Sequence, residues 1–352
     1  MKSFNILSIV DSEKWRAALG MLPPDRQDVY FTPEYYAVFE RLGAGKALCA
    51  VYQDGGESAL YPFLLNSIND LGFDLKKKYS DIQGAYGYNG VGSSCSDDAF
   101  KKSFYLAFRD FIDEQAIVAE FTRFNPVFRN ESFSDYLEPQ FSQENVILDL
   151  AIDDIARNAY EHATRKNINK AMRSGLICLK FTATEMTREL LDEFIRIYHE
   201  TMKRNDADPY YFFPISFFKD IASNLPQHSD FYFTRFQDSF ISAELVMRQN
   251  TVAYSFLGGT TAEYFEFRPN DLLKDFIIRD LAGRGLKYFC LGGGSAGIIK
   301  FKKSFAKNGI TPFYIGKKIH DPETYRDVVA QWQARFPEKT ETYKNHILKY
   351  RN

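Results

Sequence analysis

Three lysines alternate with bulky apolar residues in GGGSAGIIKFKKSF, residues 292–305, directly after Gly292, Gly293 and Gly294. Lys300, Lys302 and Lys303, set among Ile298, Ile299, Phe301 and Phe305, predict cations on one side of a sheet or pocket wall. A cation so placed can meet a phosphate or a developing oxyanion. The alternative is a set of surface lysines whose stems lie on apolar surface while their heads stay in water. The glycines do not form a phosphate-binding loop. A Walker loop needs GxxxxGK followed by Ser or Thr, and a Rossmann fingerprint needs GxGxxG between a strand and a helix. The run reads instead as the exit from a buried strand.

A second group of cations lies in RKNINKAMRSG, residues 165–175, where Lys166, Lys170 and Arg173 fall at i, i+4 and i+7 and so share one helix face. Such a stripe can hold phosphates, or can simply be a solvated face. Arg268-Pro269-Asn270-Asp271 opens a helix whose free N–H groups could accept a pyrophosphate or a carbonyl oxygen. Asn270 or Asp271 could equally serve only as its cap. Two aromatic, glycine- or proline-bearing loops, YGYNG (86–90) and RFNP (123–126), put Tyr86, Tyr88, Asn89, Arg123 and Asn125 at strand ends, where binding loops collect. The five histidines have no HExxH-like spacing, the four cysteines form no CxxC pair, and no GxSxG elbow is present. Metal chemistry and serine-hydrolase chemistry are therefore not expected.

The elements that must carry these groups repeat. A hairpin over 47–65 turns at Asp54-Gly55-Gly56, a glycine-bearing loop follows, a helix over 97–115 repeats Phe100, Phe104, Phe108 and Phe111 on one face, and a strand spans 116–124. The same order returns as a meander of strands at 231–236, 240–248 and 251–259, a helix from Pro269 to Gly283 or Gly285, and a strand over LKYFCLGG. Between the copies one helix capped by Asp153 or Asp154 is predicted to run to Gly175, and another to span 185–204. The fold class is α/β (α+β), with two related domains. The first covers 1–150, with the tail from 317 to 352 packing back on it, and the second covers 151–316 and carries the donor site.

Forty-four basic and 46 acidic residues leave a net charge of -2, so any basic site is local and a DNA-binding character is excluded. The N-terminus lacks a cleavage signal, no run is apolar enough to span a membrane, and scattered cysteines suit a reducing compartment. A cytoplasmic location is expected.

The order VILDL (146–150), RKNINKA (165–171), Tyr254 in the meander, a proline-started helix with Leu272-Leu273, GLKYFCLGGG (285–294) and FKKSF (301–305) resembles the FemAB-like branch of the GNAT acyltransferase superfamily. The resemblance implies tandem GNAT-like domains, each a mixed, mostly antiparallel sheet flanked by helices. It further implies transfer of an acyl or aminoacyl group, from acyl-CoA or aminoacyl-tRNA as co-substrate, to an amine of a cell-envelope precursor such as an amino sugar or a peptidoglycan peptide. No metal is implied. Partners would be a small-molecule or lipid-linked amine, tRNA where the donor is charged RNA, and the membrane surface where the amine is lipid-linked. Phe301 and Lys302 match the family's phenylalanine-lysine pair near the reaction centre, and Lys166 and Lys170 match its basic helix. Arg173, Arg268, Asn270 and Asp271 join these as donor contacts, and Tyr86, Tyr88, Asn89, Arg123 and Asn125 become acceptor contacts. Tyr254 and Glu244 are the candidates for acceptor contact and proton handling. The chain departs from the pattern by lacking a charged coiled-coil arm, which argues against a bridge glycyltransferase of the armed type. It also lacks the Arg/Gln-xxGxG/A motif after Tyr254, which argues against ordinary acetyl-CoA binding. The alternative class is a non-catalytic binding protein that holds a nucleotide-sugar or a protein partner in the same fold.

Overall fold

The computed structural model describes residues 2–352. The chain divides into two compact units, one taking in the chain up to Ser142 and again Phe313–Asn352, the other Gln143–Pro312.

The first unit opens with β1 (Ser3–Ser8), α1 (Ser12–Gly20), α2 (Pro33–Arg41), β2 (Lys46–Asp54) and β3 (Glu57–Ser67). β2 and β3 pair antiparallel in register Asp54↔Glu57. Gly55 and Gly56 between them both have positive φ (59° and 94°), the backbone that a two-residue hairpin of right-handed twist requires. β4 (Ser80–Gln83), the short β5 (Gly92–Ser93), α3 (Asp98–Glu114) and β6 (Ile117–Arg123) follow. Asp97 caps α3 by accepting from the N–H groups of Ala99 and Phe100, and Phe100, Phe104, Phe108 and Phe111 bury its apolar face against Tyr61 and Phe63 of β3. β4 and β6 run parallel, so α3 is the crossover between them.

The second unit contains β7 (Gln140–Asp149), α4 (Ile155–Asn158), α5 (His162–Arg173), β8 (Ile177–Thr182), α6 (Arg188–Arg204) and α7 (Ile215–Asn224). It continues with β9 (Ser229–Phe236), β10 (Ser239–Gln249), β11 (Val252–Thr260), α8 (Pro269–Gly283), β12 (Tyr288–Gly292) and α9 (Ala296–Lys303). β8 to β11 form an antiparallel meander, β11 and β12 pair parallel with α8 as the crossover, and β7 pairs antiparallel with β12. Each unit therefore contains a hairpin or meander followed by a parallel strand–helix–strand crossover. Residues 143–149, counted with the first domain from the sequence, belong to the second unit through the pairing of β7 with β12.

The chain then returns to the first unit as β13 (Ile310–Ile319), antiparallel to β6, and α10 (Pro322–Arg335). Trp332 of α10 is buried with Val118, Ala119 and Ile68, and Arg351 makes paired bonds of 2.9 and 2.8 Å to the carboxylate of Asp81.

Several local expectations need correction. Residues 296–303 form α9, not a strand, so the alternation of lysine and hydrophobe carries no sheet meaning there. Asp154 caps only the four-residue α4, and the basic helix starts separately at His162 behind Glu161. The helix expected from 185 begins at Arg188, because the Thr187 hydroxyl accepts from the N–H of Leu190 and closes its first turn. α7 and β8 have no counterpart in the sequence expectations.

Candidate active site

The second unit's sheet opens at one place. β11 pairs with β12 through only three positions, ending at Tyr254↔Cys290, while β11 runs on to Thr260 and β12 to Gly292. At the divergence the β10–β11 register jumps from Val246↔Ser255 to Leu245↔Leu257, leaving Phe256 as an extra residue. A bulge of this kind bends its strand and strengthens its twist, which turns β11 away from its parallel neighbour. The far end of β11 is fixed by α6. Arg204 Nη1 donates to the carbonyl of Thr260 (2.9 Å), and the Thr260 N–H donates to the Thr201 hydroxyl (3.0 Å).

Charged side chains gather beneath this opening. Lys274 of α8 is 3% exposed, and its ammonium lies 2.6 Å from both carboxylate oxygens of Glu244 on β10 and 3.1 Å from the Ser255 hydroxyl on β11. Lys302 of α9 donates to the Gly293 carbonyl at 2.6 Å. Burial, and then the nearby Lys274 charge, push the Lys302 ammonium down to about 8, with Cys290 and Glu244 acting the other way. The nearby carboxylate is thus already committed to Lys274, so the pair is neutral and Lys302 remains as a surplus positive charge. Lys300 is exposed and Lys303 pairs at the surface with Glu144 (3.2 Å), so only one of the three lysines turns inward.

The glycine run holds Lys302. Gly292 and Gly294 have φ of 76° and 141°, and a Cβ on Gly293 would lie 2.2 Å from Gln143 Nε2 and 2.7 Å from Asn145 Oδ1. β7 side chains therefore press on the one residue whose carbonyl anchors the lysine. Gly293→Ala should displace that carbonyl and free the ammonium. The expected result is a Lys302 pKa moved back toward 10.5, read by NMR of 13C-methylated lysines; an unchanged value would show that the hook does not position it.

The other sequence candidates divide. Lys166, Lys170 and Arg173 are exposed on α5 with no ion-pair partner among the described residues. Asn167, between the first two, donates to Asp271 at 3.0 Å and ties the stripe to the first turn of α8. Burial raises the Asp271 carboxyl. Neither Asn270 nor Asp271 caps α8. The cap position is Arg268, an exposed residue in left-handed backbone (φ 61°) whose side chain makes no capping bond, while the Asp271 carboxylate engages its own backbone N–H in the first turn. Asn270 instead accepts a long 3.4 Å bond from Ser242. Phe301 packs on Phe305 and the core, so it seats α9. Tyr254 is 1% exposed and cannot touch an acceptor as the site stands, and Glu244 is bound to Lys274, unavailable as a free base.

Within the first unit, Asn89 and Asn125 are fully buried and tie backbone. Asn89 Oδ1 accepts from the Arg123 N–H (2.8 Å), and Asn125 Oδ1 accepts from the Val127 N–H (2.9 Å). Both side chains are thus engaged within the interior. Tyr86, Tyr88 and Arg123 stay half-buried, with Tyr88 set between the rings of Tyr30 and Phe313 and Arg123 lying over Phe121.

Sequence reasoning missed Lys274. The signal was present, since Lys274 lies three, four and seven residues before Ile277, Ile278 and Leu281 and so falls on the buried stripe of α8. A lysine there needs a buried partner.

A bulged strand thus splays from its parallel neighbour, with α8 as the helix that connects them. The sequence pattern of the acetyltransferase (GNAT) domain matches residues 162–303. The match lies wholly within the second unit. Among solved structures, FemX resembles the chain with a TM-score of 0.69 at 12% identity, covering 92% of this chain and 99% of that one. The C-terminal domain (DUF2156) of a lysylphosphatidylglycerol synthetase candidate from Agrobacterium fabrum gives 0.55 at 14%, covering 88% and 92%. A tandem GNAT protein from the clavulanic acid biosynthesis pathway gives 0.50 at 10%, covering 90% and 98%. At such identities the likeness establishes the tandem GNAT fold. No curated protein matches the sequence. Among the described residues no cluster could hold a metal ion beside the GNAT opening, and no helix is long and apolar enough to cross a membrane.

Proposed function

We propose that the protein is an N-acyltransferase that moves an acyl or aminoacyl group from acyl-CoA or aminoacyl-tRNA to an amine of a cell-envelope precursor. One observation carries this reading: Lys302 is a half-buried cation at the strand opening with no carboxylate of its own among the described residues, the arrangement that suits an oxyanion. In the reaction a neutral amine attacks the donor carbonyl carbon, and its oxygen takes the negative charge beside Lys302. The C–N bond forms and the C–S or C–O bond breaks. The surplus amine proton passes to the departing sulfur or oxygen, so the pairing of Glu244 with Lys274 is no obstacle. The exposed cations of the α5 stripe, with Arg268 at the start of α8, are suited to the donor's phosphates. The envelope acceptor is supported by the kind of proteins, FemX and the lysylphosphatidylglycerol synthetase candidate, whose fold the chain shares.

This role requires Lys302 protonated. A lysine lowered to about 8 loses its proton as pH rises through that value, so kcat should fall on an alkaline limb near pH 8. Lys302→Arg keeps the charge and should move the limb out of the measurable range. A rate that instead climbs through pH 8 in the wild type and loses that climb in Lys302→Arg would make Lys302 a base.

A further inference from the structure

We propose that the first unit binds a small organic anion, a phosphate or carboxylate joined to a flat apolar ring, in a pocket between the start of α3 and the loops around 91–96 and 128–133. The pocket is small, about 70 Å³, and opens to solvent. Its walls are of two kinds. Phe31, Val91, Phe128 and Phe133 supply apolar surface, while Arg26 and Lys101 stand with the hydroxyl-bearing Ser93, Ser96 and Ser132.

The two cations are weakly committed. Arg26 Nη1 donates to the Ser93 carbonyl at 3.2 Å, and no carboxylate pairs with this guanidinium among the described residues. Lys101 donates to the Ser132 carbonyl (3.3 Å) and to Asp98 (3.2 Å), whose side chain is 97% exposed. An ion pair so exposed is worth roughly 0–1 kcal/mol and exchanges readily for a ligand anion. The other nearby carboxylates are engaged: Asp97 accepts from the first N–H groups of α3, and Glu57 accepts from the Ser94 hydroxyl. An anion entering here meets two positive side chains and a set of hydroxyls, and a ring attached to it finds Phe31, Phe128 and Phe133.

The pocket is also preformed, and its frame accounts for the loops that stood out in the sequence. Asn130 donates to the carbonyls of Asn89 (3.0 Å) and Val91 (3.2 Å) and accepts from the Asn125 N–H (2.8 Å). Asn130 thus fastens the backbones of YGYNG and RFNP to one another behind the pocket. A pocket held in this way loses little entropy when it fills.

The test is isothermal titration of the full chain with phenyl phosphate and with benzoate, against inorganic phosphate and benzyl alcohol as the charge-only and ring-only controls. Phenyl phosphate, benzoate or both should bind saturably, with either control weaker by about tenfold or more. The Arg26→Ala/Lys101→Ala variant should weaken the ringed anions by at least about tenfold while keeping a melt close to wild type, since Arg26 is exposed and the half-buried Lys101 pairs only with an exposed carboxylate and one carbonyl. Tighter binding of phenyl phosphate would assign a phosphate ester, and tighter binding of benzoate a carboxylate. Absence of saturable binding by both ringed anions at millimolar concentration, or equal binding by the double variant, would overturn the proposal. Acyl transfer takes no part in the measurement, so its outcome is separate from that of the proposed reaction.

Discussion

Lys302→Met should reduce turnover by about 100- to 1,000-fold, the usual loss when one oxyanion donor is removed, without lowering thermal stability. Methionine keeps most of the side-chain volume and removes the charge. Stability survives because burial makes the Lys302 cation a cost to the fold: its pKa lies near 8 against the ordinary 10.5. The folded protein therefore binds that proton less tightly than the unfolded chain does. The penalty is fully present below pH 8 and disappears as pH rises toward 10.5. At pH 7 the variant should melt no lower than the wild type, and the difference should shrink on the alkaline side. A fall in turnover matched by a fall in melting temperature would mean that Lys302 supports the fold and not the reaction.

Glu244 and Lys274 should behave in the opposite way. Their pair is buried, with the ammonium 2.6 Å from each carboxylate oxygen, and Lys302 lies close enough to feel both charges. Glu244→Gln leaves the buried Lys274 cation and the half-buried Lys302 cation without a counter-charge. Loss of one partner from such a pair costs about 3–5 kcal/mol, measured as a shift in the urea midpoint. Replacing both, Glu244→Leu with Lys274→Met, removes the unpaired charge together with its desolvation penalty, and stability should return to within about 1–2 kcal/mol of wild type. The double variant also separates two roles for Glu244. If activity persists once stability is restored, the carboxylate is not the base; a Glu244→Gln protein as stable as wild type would show that the pair carries no structural weight.

The elements were legible where a local signal was strong. Asp97 before a helix with phenylalanines on one face, Asp54-Gly55-Gly56 between two apolar runs, and Pro269 at a helix start each fix an element from a few neighbouring residues. GIIKFKKSF was misleading because period-two alternation over so short a stretch also fits about two turns of helix, and tertiary contacts decided between them. The inward cation was legible as Lys302, yet its neighbourhood was not. Glu244, Lys274 and Lys302 lie on a strand and two helices separated by 30 and 28 residues of chain, and no local pattern announces their meeting. Lys274 alone left a trace, as a lysine on an apolar stripe. The surroundings of Asn89 and Asn125 were hidden for a related reason: a polar residue in a loop reads as available, while in the fold each closes backbone bonds in the interior.

The most direct test is mass spectrometry of amino-sugar and peptide amines incubated with the protein and either acyl-CoA donors or charged tRNA. Wild-type protein should add one acyl or aminoacyl mass to an amine with one of the two donor classes, and Lys302→Met should add it at least about 100-fold more slowly. Equal rates in the two proteins, or no mass change with either donor class although the donor binds, would contradict acyl transfer at Lys302 and favour a non-catalytic binding role for the fold.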